Sequence, residues 1–329
     1  MKICVYGAGA VGGHIAGRLA SSSAVVSLIA RGESLAAIRE NGLRVETRDG
    51  TLLSHPLATD RPEQLEPQDV VVVAVKAPAL PSIAEKLAPL LASDGLVLFV
   101  TNGVPWWYFR SHGGPLDGTP LPRLDPDGVL GTRLAAEQVA GAVAYTACTT
   151  VAPGVIRAEN PRNRLLIGRP DGQDDPRLTA LASAFDGSGL DVSTTPVIRD
   201  AVWGKLVMNM IGGSLGVLTA SAMQDALAAP AVAALAETMA AEARALARAL
   251  GCDAGDTDEG LARLKTSHHV QSVVQDLLSD RAMEVDALFR VPLELADLAG
   301  VETPALSLVV ELATQRARAA GLYRDAVPA

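Results

Sequence analysis

The sequence has little of what would tie it to a metal, a nucleic acid or a membrane. Its 329 residues include three cysteines, Cys4, Cys148 and Cys252. They lie far apart without metal-ligand spacing, so no metal site is expected and a reduced, cytoplasmic compartment fits. Acidic residues outnumber Lys and Arg by 37 to 28, for a net charge of -9, and no basic cluster appears. Neutralising phosphates requires such a cluster, so a nucleic-acid partner is excluded. No stretch of about eighteen uncharged apolar residues reads as membrane-spanning. Glycines between Gly7 and Gly13 interrupt the N-terminal apolar run, which therefore does not read as a signal peptide. Aromatics make up only 3% of the chain, yet Trp106-Trp107-Tyr108-Phe109 are consecutive.

Against those shortages stands a hydrophobic content of 49%, which reads as globular, in a length of about two domains. The first stretch with chemical content is at the N-terminus. Lys2-Ile3-Cys4-Val5-Tyr6 is a short apolar run that breaks at Gly7-Ala8-Gly9-Ala10-Val11-Gly12, the spacing G-x-G-x-x-G. The first glycine permits a tight turn, the second lets backbone approach a pyrophosphate, and the third lets the next helix pack on the strand. That helix carries an apolar stripe of Ile15, Ala16, Leu19 and Ala20, and Val25-Val26-Ser27-Leu28-Ile29-Ala30 supplies the next strand. The pattern predicts the opening βαβ unit of a dinucleotide-binding sheet, with phosphates on the helix N-terminus. An acid about twenty residues past the turn would bind the ribose of NAD, whereas a base accommodates the phosphate of NADP. Arg31 stands there, so NADP (NADPH) is expected; the alternative is a solvated Arg31 with Glu33 taking the ribose.

Further along, residues 33–41 read as a helix stopped by Gly42, and Leu43-Arg44-Val45 as a strand. The β-branched run 69–76 reads as a parallel strand buried on both faces and ending in Lys76. Residues 81–91 are helical in pattern, and 95–100 form another buried strand running into Asn102-Gly103. In a doubly wound sheet, ligands lie at the carboxyl ends of the strands, which draws attention to Lys76 and Asn102. The aromatic run that follows precedes a Gly/Pro-rich loop, so it reads as a lip over a site or an oligomer contact. Residues 142–151 and 164–167 read as an antiparallel finish to the sheet, with Pro153-Gly154 as the hairpin turn between them. From Ile198 the pattern is helical to the end. The expected fold class is α/β: a Rossmann-type dinucleotide-binding domain over 1–197, then an all-helical C-terminal domain over 198–329.

The helical half contains the remaining polar candidates. Lys205 and Asn209 are four apart and share a helix face. Gly212, Gly213 and Gly216 follow on the same helix at a cost of up to about 1 kcal/mol each relative to Ala, which suggests that backbone or ligand comes close there. Ser272, Gln275 and Asp276 precede Glu284 and Asp286; of these, Gln275, Asp276 and Glu284 read as solvated positions on helical surfaces.

Together these stretches resemble the ketopantoate reductase (2-dehydropantoate 2-reductase) family over nearly the whole chain. The family's glycine turn matches Gly7, Gly9 and Gly12; its phosphate-reading arginine matches Arg31; its lysine after the buried strand matches Lys76; and its Asn-Gly matches Asn102-Gly103. Its Trp-x-Lys-Leu-x-x-Asn helix matches Trp203, Lys205, Leu206 and Asn209, and its Ser-x-x-Gln-Asp followed by Glu-x-Asp matches Ser272, Gln275, Asp276, Glu284 and Asp286. Six motifs in order make the resemblance specific.

The resemblance implies reduction of a 2-oxoacid to a 2-hydroxyacid, in pantothenate biosynthesis ketopantoate to pantoate. It implies Lys205 as proton donor with Glu284 holding it, Ser272 on the substrate carboxylate, and Asn102 and Asn209 orienting cofactor and substrate. Gly7, Ala8, Gly9, Ala10, Val11, Gly12, Arg31, Lys76 and Asn102 would hold the cofactor. With Lys205, Ser272 and Glu284 in the helical half, the expected site is the cleft between the domains. Two positions depart from the family pattern: Gly213 stands where many members carry a second asparagine, and Phe289-Arg290 where an Asn-Gly is common. With the aromatic run Trp106 to Phe109, they point to a bulkier or more apolar 2-oxoacid, or an opine-type substrate, as the alternative. A non-catalytic NADP-binding sensor is a further alternative, which the retained Lys205 and Glu284 oppose. Exposed helical surface makes a homodimer plausible.

Overall fold

The computed structural model describes every residue except Ser23 and residues 326–329. The chain opens with β1 (Lys2–Tyr6), α1 (Ala10–Ala20), β2 (Val25–Ile29), α2 (Gly32–Asn41), β3 (Leu43–Thr47), β4 (Gly50–Ser54), β5 (Leu57–Thr59), β6 (Gln68–Val73), α3 (Leu80–Leu90) and β7 (Leu91–Phe99). After a long loop come α4 (Val129–Arg133), β8 (Val139–Tyr145), β9 (Cys148–Ala152), β10 (Val155–Ala158), β11 (Arg164–Gly168), α5 (Pro176–Ser183) and β12 (Asp191–Thr194). The rest is helical: α6 (Ile198–Thr219), α7 (Met223–Ala226), α8 (Pro230–Ala249), α9 (Thr257–Lys265), α10 (Ser272–Leu278), a π-helical turn Asp286–Arg290, α11 (Val291–Ala299) and α12 (Pro304–Ala319).

Two compact units result. The first holds Met1–Thr101, Trp107–Pro120 and Asp127–Ile198; the second holds Asn102–Trp106, Leu121–Pro126 and Arg199–Ala329. Two short stretches of the N-terminal half thus belong to the helical unit.

In the first unit an eight-stranded sheet runs in the order β12-β11-β8-β7-β6-β1-β2-β5. Strand β1 lies between β2 and β6 and is parallel to both. The valines of β6 pair with the apolar half of β7, Val70 with Leu96 and Val72 with Leu98. All four are at most 1% exposed, as a parallel sheet covered on both faces requires. Burying each such side chain contributes about 1.5–3 kcal/mol, so the centre of the sheet is well anchored. The result is a Rossmann-type α/β unit followed by a helical one.

A second sheet, in the order β4-β3-β10-β9, packs on α1. Small residues on α1 make that possible: a Cβ on Gly13 would lie 2.7 Å from Ile156 Cγ1, and one on Gly17 would lie 2.4 Å from Val45 Cγ2. This sheet corrects the expectation of one antiparallel finish over 142–151 and 164–167. The run divides at Thr146-Ala147. Strand β8 stays in the main sheet, antiparallel to β11, while β9 leaves it and turns back through Pro153-Gly154 onto β10.

Behind α1 a buried polar chain ties the helix to the β8–β9 junction. Arg18 Nε donates to His14 Nε2 at 3.1 Å, the other ring nitrogen lies 3.4 Å from the Thr146 hydroxyl, and Thr146 donates to Asn163 Oδ1 at 2.6 Å. His14 is fully buried, and burial, aided by Arg18, pushes its pKa down to about 4. Because the folded value lies below the unfolded one, the stabilisation is fully present above about pH 6.5 and lost as pH falls towards 4. The linkage is on the order of 3 kcal/mol. Urea unfolding between pH 7 and 4 is expected to show wild type losing about that much more stability than His14→Gln; equal losses would contradict it.

In the helical unit, α6 is long and apolar enough to cross a membrane by length and composition, but 67% of its apolar window is buried within the protein. That burial marks it as a core helix of the unit.

Candidate active site

The glycine turn has the shape a dinucleotide pyrophosphate needs. Gly7 turns the chain with φ +112°, and its N–H is held by Ile29 O at 3.0 Å. A Cβ on Gly12 would lie 1.9 Å from Gly7 O, so only glycine lets α1 start this close to β1. A Cβ on Gly9 would instead enter open space, with nothing within 4 Å. Gly9 therefore leaves a bare cradle in front of the first amides of α1, where Ala10, Val11 and Gly12 have no earlier helical carbonyl to bond. These residues fit a dinucleotide.

Arg31 sits at the N-cap of α2, exposed, at the end of the adjacent strand. It shares a surface recess with Glu33, Ser34 and the β9–β10 hairpin residues Thr150, Val151, Ala152 and Pro153. Lys76 is also exposed; its strand ends earlier than the sequence suggests, at Val73, and Lys76 caps a short helical turn over Ala77–Ala79.

The candidate proton donor, Lys205, lies in the second unit. Lys205 Nζ donates to Asn102 Oδ1 at 2.7 Å, although the two are 103 residues apart in sequence. Burial lowers the Lys205 pKa to about 8, against an opposing effect of the Glu284 carboxylate. Glu284 is 7% exposed and lies in the irregular segment just before the π-turn, not on a helix surface as its sequence context suggests.

The π-turn explains how Asn102 is placed. Val291 N–H bonds to Asp286 O, taking the donor that an α-helix would give to Ala287 O. The donor that a π-register would supply to Ala287 O is residue 292, a proline without an N–H. Ala287 O therefore has no partner within its own helix and accepts from Val104 N–H at 2.8 Å. Gly103, at φ +82°, fits beneath; a Cβ there would lie 2.3 Å from Ala287 O. The loop carrying Asn102 is thus docked on the turn that follows Glu284. Neither proline nor Asn-Gly signals this alone; it depends on both.

The other candidates are placed as follows. Asn209 is half-buried one turn beyond Lys205 on α6, and Ser272 is exposed as the first residue of α10. Asp276, expected on a surface, is 5% exposed and accepts from Arg281 Nε at 3.0 Å. The glycines of α6 meet the protein's own side chains: a Cβ would lie 2.9 Å from the Gln271 amide at Gly212, 3.1 Å from Val273 and 3.2 Å from the Phe289 ring at Gly213, and 2.7 Å from Val274 at Gly216. The aromatic run is neither a lip nor an exposed contact surface. Trp106, Trp107, Tyr108 and Phe109 are 8%, 2%, 0% and 1% exposed, and the Trp107 ring fills the space over Gly141. Among the described residues no group of acids, histidines and cysteines suits a metal ion.

A dinucleotide cradle and a lysine of lowered pKa are the parts of a pyridine-nucleotide-dependent oxidoreductase. Residues 3–108 match the family model described as Ketopantoate reductase PanE/ApbA, and residues 197–317 match its C-terminal counterpart. A 2-dehydropantoate 2-reductase of Mesorhizobium japonicum is 38% identical over 98% of this chain and all of that protein. A solved Ralstonia solanacearum MolK2 protein assigned as a ketopantoate reductase is 37% identical, with TM-score 0.90 over 98% of this chain and 99% of that one. A D-mandelate dehydrogenase solved with NADH and anilino(oxo)acetate shares the fold at 19% identity and TM-score 0.81, covering 98% of this chain and all of that one. The chain belongs to the ketopantoate reductase family.

Gly103→Ala tests the docking. Positive φ and the Ala287 contact together predict a loss of about 2 kcal/mol or more, measured by denaturant unfolding, and a displaced Asn102. A stability within about 0.5 kcal/mol of wild type would contradict it.

Proposed function

We propose that this protein reduces the ketone of a 2-oxoacid to a 2-hydroxyacid with NADPH, and that 2-dehydropantoate is the first substrate to test. The observation that carries the proposal is Lys205, buried to a pKa of about 8 and hydrogen-bonded to Asn102. Held at the glycine turn, a nicotinamide cofactor would supply the hydride that the carbonyl carbon accepts. Negative charge then develops on the carbonyl oxygen, and Lys205 stabilises it and gives it a proton. A donor whose pKa lies near neutrality transfers and recovers its proton readily at pH 7–8. Glu284 keeps the ammonium charged in a site whose burial disfavours the charge, and holds Lys205 and the product hydroxyl. Asn102 fixes the direction of Nζ and orients the ligand, Asn209 orients substrate from the same helix face as Lys205, and Ser272 binds the substrate carboxylate.

For the cofactor, Gly7, Ala8, Gly9, Ala10, Val11 and Gly12 cradle the pyrophosphate, Arg31 reads the NADP phosphate, and Lys76 adds positive charge at the strand end. The relatives named 2-dehydropantoate 2-reductase support the substrate class. Three cysteines with no disulfide among them suit a reducing cytoplasm.

A second reading, a bulkier or more apolar 2-oxoacid, is favoured by one observation. Phe289 is fully buried and its ring covers Gly213, closing the place where an asparagine would otherwise stand.

NADPH oxidation over a panel of 2-oxoacids that includes 2-dehydropantoate tests both readings. Turnover of 2-dehydropantoate is expected, with Lys205→Ala lowering kcat by about 100-fold or more. Turnover confined to apolar 2-oxoacids favours the second reading, and no turnover despite tight NADPH binding overturns both. Arg31→Ala is expected to weaken NADPH binding while sparing NADH; an unchanged preference would remove Arg31 from the phosphate site.

A further inference from the structure

The aspartate two residues after Glu284 occupies a position that the proposed chemistry does not use. Asp286 opens the π-turn, is 9% exposed, and is gripped from two distant parts of the sequence. One grip comes from the stretch Leu121–Pro126. Leu121 and Leu124 are buried there, and Arg123 between them has a side chain only 9% exposed. Its guanidinium reaches Asp286 Oδ1 at 3.4 Å, Asp325 Oδ1 at 3.2 Å and the Glu294 carboxylate on α11. The other grip comes from the C-terminal segment after α12. The Tyr323 hydroxyl lies 2.6 Å from Asp286 Oδ1 and 3.0 Å from Asp325 Oδ1, and Leu322 O accepts from Met283 N–H at 3.0 Å.

The backbone immediately before Glu284 and the side chain two residues beyond it are therefore held by the same segment. A second cation, Arg318, holds Asp325 at 2.6 Å, so that segment is itself pinned to α12. One guanidinium faces three carboxylates. Without it the largely buried Asp286, whose pKa burial and the like charge of Asp325 already push up, would lose its cationic partner and keep that like charge. The turn held in this way is the one whose Ala287 carbonyl receives the Val104 N–H and seats Gly103, with Asn102 then 2.7 Å from Lys205.

We propose that Arg123, Asp286 and Tyr323 are positioning residues for Lys205: they clamp the π-turn so that Glu284 and Asn102 meet the lysine together. The clamp rests on the reading of Lys205 as proton donor only for its effect on turnover; its effect on the exposure of Lys205 is independent of that reading.

Two variants test it in the full chain. Tyr323→Phe deletes one hydroxyl, and Arg123→Met deletes the charge while keeping an apolar stem. Acetylation by acetic anhydride, read by mass spectrometry, reports the reactivity of Lys205 against Lys86 and Lys265 as references. In both variants Lys205 labelling relative to the references is expected to rise about threefold or more, as a loosened turn opens the site. With the best 2-oxoacid, kcat is expected to fall about tenfold while the NADPH Kd stays within about twofold, a split that general destabilisation would not give. Unchanged relative labelling in a folded Tyr323→Phe protein overturns the proposal, as does a variant kcat equal to that of a wild type that turns over. If wild type reduces no 2-oxoacid, the proposed reaction is lost, and a rise in Lys205 labelling still supports the clamp.

Discussion

A single 2.7 Å hydrogen bond, from Lys205 Nζ to Asn102 Oδ1, is the contact on which the rest of the candidate site depends. It joins a core helix of the second unit to a loop that the sequence places at the end of a Rossmann strand. The lysine is pulled in two directions. Burial disfavours its charge and Glu284 favours it, and the outcome is a pKa of about 8. In that balance an amide partner is useful because it fixes the ammonium without adding charge. A second carboxylate in its place would raise the pKa and make the lysine a poorer donor near neutrality.

The geometry is kept by backbone conditions more than by side-chain bulk. Pro292 withholds an N–H, the π-turn diverts another, and the carbonyl left over receives the Asn102 loop. Glycine recurs wherever two segments close on each other: Gly12 against Gly7, Gly103 against Ala287, and Gly212, Gly213 and Gly216 against residues 271–274 and Phe289. On α6 the glycine cost of up to about 1 kcal/mol each is repaid in close packing of the protein on itself.

Much of the fold was legible in the sequence. The glycine turn between a strand and a helix, the β-branched run ending in β6, and the Ala- and Leu-rich helical half each carry a period or a spacing that local physics reads directly. The second sheet was not legible, because its strands are short and its partners, β3 with β10, lie more than a hundred residues apart. The aromatic run misled for a different reason. Its four rings follow no helical or strand period, so nothing local signalled burial, yet irregular backbone can fill a core when small residues such as Gly141 make room. At the site, Lys205, Asn102 and Glu284 could be singled out by residue type and resemblance. The clamp could not, since Arg123, Asp286 and Tyr323 come from three separate regions and only the folded chain brings their polar groups together.

The central claim is that Lys205, tuned to a pKa of about 8, gives the proton. The most direct measurement is the pH dependence of kcat/KM in both reaction directions. Reduction needs the protonated lysine, so its rate is predicted to hold below pH 8 and fall above it, while oxidation of the hydroxyacid rises through the same value; Lys205→Arg should remove both inflections. A reduction profile that stays flat from pH 7 to 10 in wild type would contradict the account.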